Sequence, residues 1–271
     1  DLGATNLRVA IGKDEIYEKI VEKTNEKEIL NQIAKNVKYF FEKYKVEKIV
    51  IASIGPLDIK KGIIINPANL KIGKVEIVKF LKRKFKVDVK LINDCKAAVL
   101  AEKQFGEGKD YENIVYLTFS SGIGCGAIIN GKLIEGKDGN ACEIGHTVID
   151  INSKLKCGCG AYGHWEAYCA GKNIPNFVKY LAKNFDYKNS LLYEKSNKFK
   201  NLDSKLVFEC AKENDKFSKF VINEIGKINS IGISNVINIF DPEFISIGGS
   251  IAINNKKEIL NPIKKYIKKY C

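Results

Sequence analysis

The chain has 271 residues, with 45 Lys plus Arg against 32 Asp plus Glu and a formal charge of +13. A hydrophobic fraction of 45% supplies a core and excludes intrinsic disorder, and no apolar run reaches the roughly 18 residues of a membrane-spanning helix. The charge does not mark a nucleic-acid binder: only Arg8 and Arg83 are Arg, and the lysines interleave with Glu and Asp except at 264–269, which reads as a solvated helix face.

A turn over residues 1–6 precedes a strand at 7–11, and 16–21 continues as a second strand. Residues 26–44 read as an amphipathic helix, with Ile29, Ile33, Val37 and Phe40 at helical spacing and Asn25 with Glu28 as a capping pair. A strand at 48–53 ends in Gly55-Pro56. A helix at 75–85, a strand at 87–92 and a helix at 95–105 follow. Strands at 114–118 and 126–129 flank a Gly-rich turn, 137–165 is irregular, and the rest is helical apart from a strand at 244–247. Strands alternating with helices in two blocks predict a two-lobed α/β protein, with a junction near 107–110. With no Met in the chain, Asp1 is not read as a translation start and a few upstream residues are expected to be absent; no signal-peptide pattern is read in the opening residues given.

Gly-rich turns between strands can cradle phosphate with backbone N–H groups. Residues 120–126, Ser-Ser-Gly-Ile-Gly-Cys-Gly, have that composition, and so do residues 1–6, with a carboxylate suited to Mg²⁺-bound water. A β-hairpin turn is the alternative for each. Two letter matches are rejected. Gly126 to Lys132 spells G-x-x-x-x-G-K but continues with Leu133 rather than Ser or Thr, and Gly158 to Gly163 lies in a Cys-rich loop without a preceding strand.

Both histidines, His146 and His164, flank Cys157 and Cys159. Two imidazoles and two thiolates are a full tetrahedral set for structural Zn²⁺, which would order a loop too Gly-rich to order itself. The other cysteines read as buried small hydrophobes in a reducing cytoplasm. Glu143 and Glu166 sit close to the cluster in sequence. Asp94 stands where a strand ends and a helix begins, as an N-cap or as a reacting carboxylate.

These residues together resemble the ROK family of repressors and sugar kinases. The match lies in residues 1–8 (DLGATNLR), 91–94 (LIND), 121–124 (SGIG), 143–146 (EIGH) and 157–166 (CGCGAYGHWE), and it extends to about residue 250. The resemblance implies an actin-like ATPase (ribonuclease H-like) fold with a zinc-ordered loop. Its lobes are expected at 1–108, completed by a C-terminal helix at 256–271, and at 109–255. It implies ATP-dependent phosphorylation of a hexose, glucose at the 6-hydroxyl, with N-acetylmannosamine or N-acetylglucosamine as alternatives. A sugar-sensing transcriptional regulator is the alternative of another class; such members carry an upstream helix-turn-helix, for which this chain is expected to have no room unless a large segment is missing. By the same resemblance Asp94 is the catalytic base. Asn69, Asn93, Asp94, Glu143, His146 and Glu166 bind the sugar. Gly3, Ala4, Thr5, Asn6, Ser121, Gly122, Gly124, Gly248 and Gly249 bind ATP–Mg²⁺. His146, Cys157, Cys159 and His164 bind zinc, with His164 where Cys is usual and Ala4 where Gly is commoner. A cytoplasmic homodimer of prokaryotic or archaeal origin, with no nucleic-acid or membrane partner, is expected.

Overall fold

The computed structural model describes residues 1–67, 70–152 and 155–271. They form two compact units: residues 1–100 with 134–141, and residues 101–133 with 142–271.

In the first unit, β1 (Asn6–Gly12) and β2 (Ile16–Lys23) form an antiparallel ribbon, with Asn6 opposite Lys23. Helix α1 (Ile29–Lys43) starts later than its periodicity suggests. The Asn25 Oδ1 accepts from the Lys27 N–H at 3.2 Å, which closes a turn before the helix rather than a capping box across its first residues. Ile29, Ile33, Val37 and Phe40 form its buried face. Strand β3 (Lys48–Ser53) leads into three strands of two or three residues, β4 (Leu57–Asp58), β5 (Ile63–Ile65) and β6 (Lys74–Val75). Helix α2 (Ile77–Phe85), β7 (Asp88–Asn93) and α3 (Asp94–Phe105) follow. β7 lies parallel to β3, in register from Lys48 opposite Asp88 to Ser53 opposite Asn93. Leu2, Leu7, Ile33, Val37, Ile51, Leu81 and Leu91 share one apolar core.

In the second unit, β8 (Ile114–Phe119), β9 (Ile123–Ile129) and β10 (Lys132–Leu133) are antiparallel. The helices α4 (Glu166–Cys169), α5 (Ile174–Leu181), α6 (Leu191–Lys195), α7 (Ser204–Lys212) and the long α8 (Lys216–Phe240) follow. Then come β11 (Phe244–Gly248), α9 (Ser250–Asn254) and α10 (Lys256–Tyr266). β11 joins the sheet parallel to β8, giving the order β10-β9-β8-β11. The C-terminal helix, expected to complete the first lobe, belongs to the second unit and packs on α8. A Cβ at Gly226 of α8 would lie 2.1 Å from the Pro262 Cβ, so the glycine is a notch that admits α10. Ser230 Oγ adds a bond to the Ile263 carbonyl at 3.3 Å. The boundary expected at 107–110 falls earlier, after Leu100 within α3. Among the described residues no helix is long and apolar enough to cross a membrane.

Candidate functional site

The first turn is fixed to the sheet by its own backbone. Leu2 bridges Ser53, with its N–H on the Ala52 carbonyl at 2.7 Å. Arg8 N–H reaches the Asp1 carbonyl at 2.9 Å, and the Arg8 guanidinium pairs with Asp1 Oδ2 at 2.7 Å. Gly3 N–H bonds the Asn6 carbonyl and Thr24 Oγ1 bonds the Gly3 carbonyl, leaving Ala4 half-buried and Thr5 exposed at the tip.

Ser53 is also opposite Asn93. The register therefore brings Gly3, Ala4, Thr5 and Asn6 and the pair Asn93–Asp94 to the same carboxyl end of β3 and β7, the edge at which α/β sheets bind ligands. Asn93 is buried, and its Oδ1 accepts from the Cys95 and Lys96 N–H groups at 3.0 and 3.2 Å. Asn93 is thus the helix cap, which frees the half-buried Asp94 from that role. Burial raises the Asp94 pKa, opposed by the Cys95 N–H on Oδ1 at 2.9 Å. A carboxylate so raised is a better proton acceptor than a solvated one. Asn69 lies outside the described residues.

The second Gly-rich stretch is tighter than its composition implied. Phe119 pairs with Ile123 across a three-residue hairpin loop, Ser120 to Gly122. Gly124 is paired with Thr118 within the ladder, so the structure removes it from the turn. Ser121 and Gly122 remain there, half-buried. The Gly171 and Lys172 N–H groups hold the Ser120 and Ser121 carbonyls at 2.8 and 3.3 Å from behind. Gly248 continues β11 beside β8, and Gly249 turns at φ +89°. A Cβ at Gly249 would lie 2.4 Å from the Phe119 carbonyl oxygen, so a side chain is excluded by both conformation and space. Ser250 Oγ meets Ser120 Oγ at 3.2 Å, which joins the two turns.

His146, Cys157, Cys159 and His164 offer ligand atoms that all lie within 4.8 Å of one another. His146 Nδ1 is 3.4 Å from His164 Nδ1 and 3.6 Å from Cys157 Sγ, and Cys159 Sγ is 3.4 Å from His164 Nδ1. Zn–N bonds of about 2.0 Å and Zn–S bonds of about 2.3 Å require tetrahedral edges of roughly 3.3–3.8 Å, so the donor set fits a zinc ion. Burial pushes the Cys157 thiol up to about 12, so forming its thiolate calls for a cation. Burial, then the neighbouring His146, lowers the His164 pKa and keeps that ring neutral for ligation.

The loop is anchored on both sides. Glu143 is the centre of an inverse γ-turn (φ −74°, ψ 55°) closed by the Ile144 N–H on the Cys142 carbonyl at 2.8 Å. Glu143 is exposed, and Cys142 before it has φ +71°. Gly145 passes so near β9 that a Cβ would lie 2.2 Å from the Ile123 carbonyl oxygen. Trp165, fully buried, donates from Nε1 to the Asn229 Oδ1 at 2.8 Å and meets Phe119 edge-on. Tyr168 OH donates to Asp150 at 2.6 Å. Glu166 is buried, and its Oε2 accepts from the Ile123 N–H at 2.9 Å while Oε1 lies 3.9 Å from Cys157 Sγ. One carboxylate therefore touches both the Ser120 to Gly122 hairpin and the metal cluster. Sequence reasoning assigned Trp165 no anchoring role and passed over Lys96; a lone Trp inside a ligand-dense loop was the available signal for the first.

The ROK family model matches residues 1–271. The chain belongs to the ROK family. It is 34% identical over 279 residues to a glucokinase of Aeropyrum pernix, covering 100% of this chain and 87% of that protein. It is 38% identical over 224 residues to a glucokinase of Pyrobaculum calidifontis, covering 83% and 70%. A ROK glucokinase from Streptomyces griseus, solved with glucose and AMPPNP, superposes with a TM-score of 0.83 at 24% identity, over 99% of this chain and 87% of that one. The actin-like ATPase fold that the motifs implied is the fold shared with this ROK structure.

Proposed function

We propose that this ROK protein phosphorylates a hexose with ATP, and that its substrate is glucose at the 6-hydroxyl. The observation that carries the reading is the placement of Asp94 and the Asp1 to Asn6 turn together at the carboxyl edge of β3 and β7. The glucokinase relatives support the substrate.

Asp94 accepts the proton of the attacking hydroxyl, and its burial raises its basicity for that task. Asn93 keeps Asp94 in place by capping α3, and its side-chain amide is the part left to face a sugar hydroxyl. Glu143, His146 and Glu166 bind further hydroxyls, with Asn69 as another candidate. His146 has its Nδ1 turned to the cluster, so Nε2 is the nitrogen assigned to the sugar. Gly3, Ala4, Thr5 and Asn6 hold phosphate, as do Ser121 and Gly122, with Gly248 and Gly249 on the adenosine side. Mg²⁺ would offset the phosphate charge when bound, and the Asp1 carboxylate, paired with Arg8, is the group of the first turn suited to a Mg²⁺-bound water. Zinc on His146, Cys157, Cys159 and His164 orders the loop and, with four protein ligands, takes no part in the chemistry. A reducing cytoplasm is the expected compartment. A homodimer is the expected assembly.

The test is coupled ADP release across glucose, mannose, fructose, N-acetylglucosamine and N-acetylmannosamine. Glucose should give the highest kcat/KM. A 2-acetamido sugar above glucose replaces the substrate. Tight sugar binding with no ADP release from any of them overturns the kinase reading in favour of a sugar sensor.

A further inference from the structure

Lys96 has no exposed surface. It stands two residues after Asp94 in the first turn of α3, and its own N–H is held by the Asn93 Oδ1. Its ammonium donates to the Glu135 carbonyl and to the Gly139 carbonyl, both at 2.7 Å. Those carbonyls belong to residues 134–141, which pack with the first unit although the chain on either side belongs to the second. The Glu135 carbonyl also accepts the Ala141 N–H at 3.1 Å, so 135–141 closes on itself with its inward oxygens on one ammonium. Glu135 to Asp138 are exposed, and the loop is seated again at Gly139 and Asn140. Gly139 has φ +86°, and a Cβ there would lie 2.0 Å from Ile59 Cδ1. The Asn140 amide pairs with both backbone polar groups of Leu57, at 2.9 and 2.8 Å. The chain leaves this loop through Cys142 and reaches Glu143 at once.

Burying an ammonium costs several kcal/mol unless its donors are satisfied. Here a lysine supplies a fixed cation to two backbone carbonyls of one loop, as a bound metal ion does in other loops. We propose that Lys96 is a positioning residue: its ammonium is the internal cation that folds 135–141, and it thereby sets the point from which Glu143 is presented to the hexose. The effect on sugar affinity rests on the hexokinase reading; the effect on the loop does not.

Three variants and two readouts test it. Lys96→Met keeps the stem and removes the charge, Lys96→Ala opens a niche, and Asn140→Ala loosens the same loop from the Leu57 side. Without substrate, amides of 135–143 should exchange at least about 10-fold faster in Lys96→Met than in the wild type. Propylammonium should restore protection to Lys96→Ala, and propanol should not. In turnover, KM for glucose should rise about 10-fold with KM for ATP unchanged, and propylammonium should reverse it. Unchanged exchange, equal rescue by propanol, or a parallel rise in both KM values overturns the proposal, because a lysine that merely supports the fold predicts no ammonium-specific rescue. If neither Lys96 variant folds, Asn140→Ala must show the same split, and equal KM values there overturn it. A wild type that turns over no hexose refutes the kinase reading alone, and the exchange experiment still judges Lys96.

Discussion

Gly232→Ala sets two effects of opposite sign against each other. In the interior of α8, alanine is favoured over glycine by about 1 kcal/mol of helix propensity. The added methyl, however, would lie 2.4 Å from three atoms of the Trp165 ring, Cδ2, Cε2 and Cε3. Ordinary carbon contacts are about 3.5–4.0 Å, so the indole must move by an ångström or more. It has nowhere free to go, being fully buried against Phe119 and bonded to Asn229. Overpacking of this kind costs about 1–3 kcal/mol, and a lost buried indole bond costs about 1 kcal/mol more. The crowding wins by about 1–3 kcal/mol, or a fall in Tm of roughly 3–10 °C for a domain of this size. Trp165 is the single Trp of the chain, so its emission reports the displacement directly. We expect a lower Tm, a red-shifted emission and faster loss of metal to a chelator, since His164 and Glu166 flank the ring. A Tm equal to or above the wild type with unchanged emission would refute the locked-indole argument.

Asp94→Asn should keep glucose binding, measured by titration calorimetry, and lower kcat at least about 10²-fold. Its stability effect has a definite sign. The folded pKa of Asp94 is raised, so ionising it in the folded state costs stability as pH climbs from the unfolded to the folded value, and the loss is complete above both. The Asn variant should therefore melt higher than the wild type at neutral pH, with the gap closing towards the ordinary aspartate pKa; an equal Tm at neutral pH would refute it. Elemental analysis of protein purified without chelator should give about one zinc per chain, and Cys157→Ser should lower both that ratio and Tm. Gly249→Ala, at φ +89° and against the Phe119 carbonyl, should raise KM for ATP by about 10-fold or more while leaving glucose binding intact.

The Cys/His cluster was legible because its donors are rare letters crowded into one loop, and backbone turns then closed the distances. Asp94 was legible because a strand-to-helix junction marks a sheet end. Which of the two residues caps α3 was not: Asn93 and Asp94 both cap well, and only the buried Oδ1 of Asn93 separates them. Gly124 was misplaced because glycine reads as turn, whereas its pairing with Thr118 keeps it in the ladder. Strands β4 to β6 are too short to carry a period of two. The seat of the C-terminal helix depends on a notch at Gly226 meeting Pro262, residues far apart in sequence. Lys96 was invisible because lysine reads as solvent-facing, and the Glu135 and Gly139 carbonyls it donates to are main-chain oxygens that no side-chain pattern announces.

The chain passes between its two units at three places, after Leu100, after Leu133 and after Ala141. Neither unit is therefore a single stretch of gene. A recombination that exchanged residues 1–100 with a relative would import one helix end while retaining a foreign 134–141 loop, and it would part Lys96 from Glu135 and Gly139. Inheritance of the first unit by cassette is blocked at an eight-residue segment, so lysine and loop can be expected to change only together.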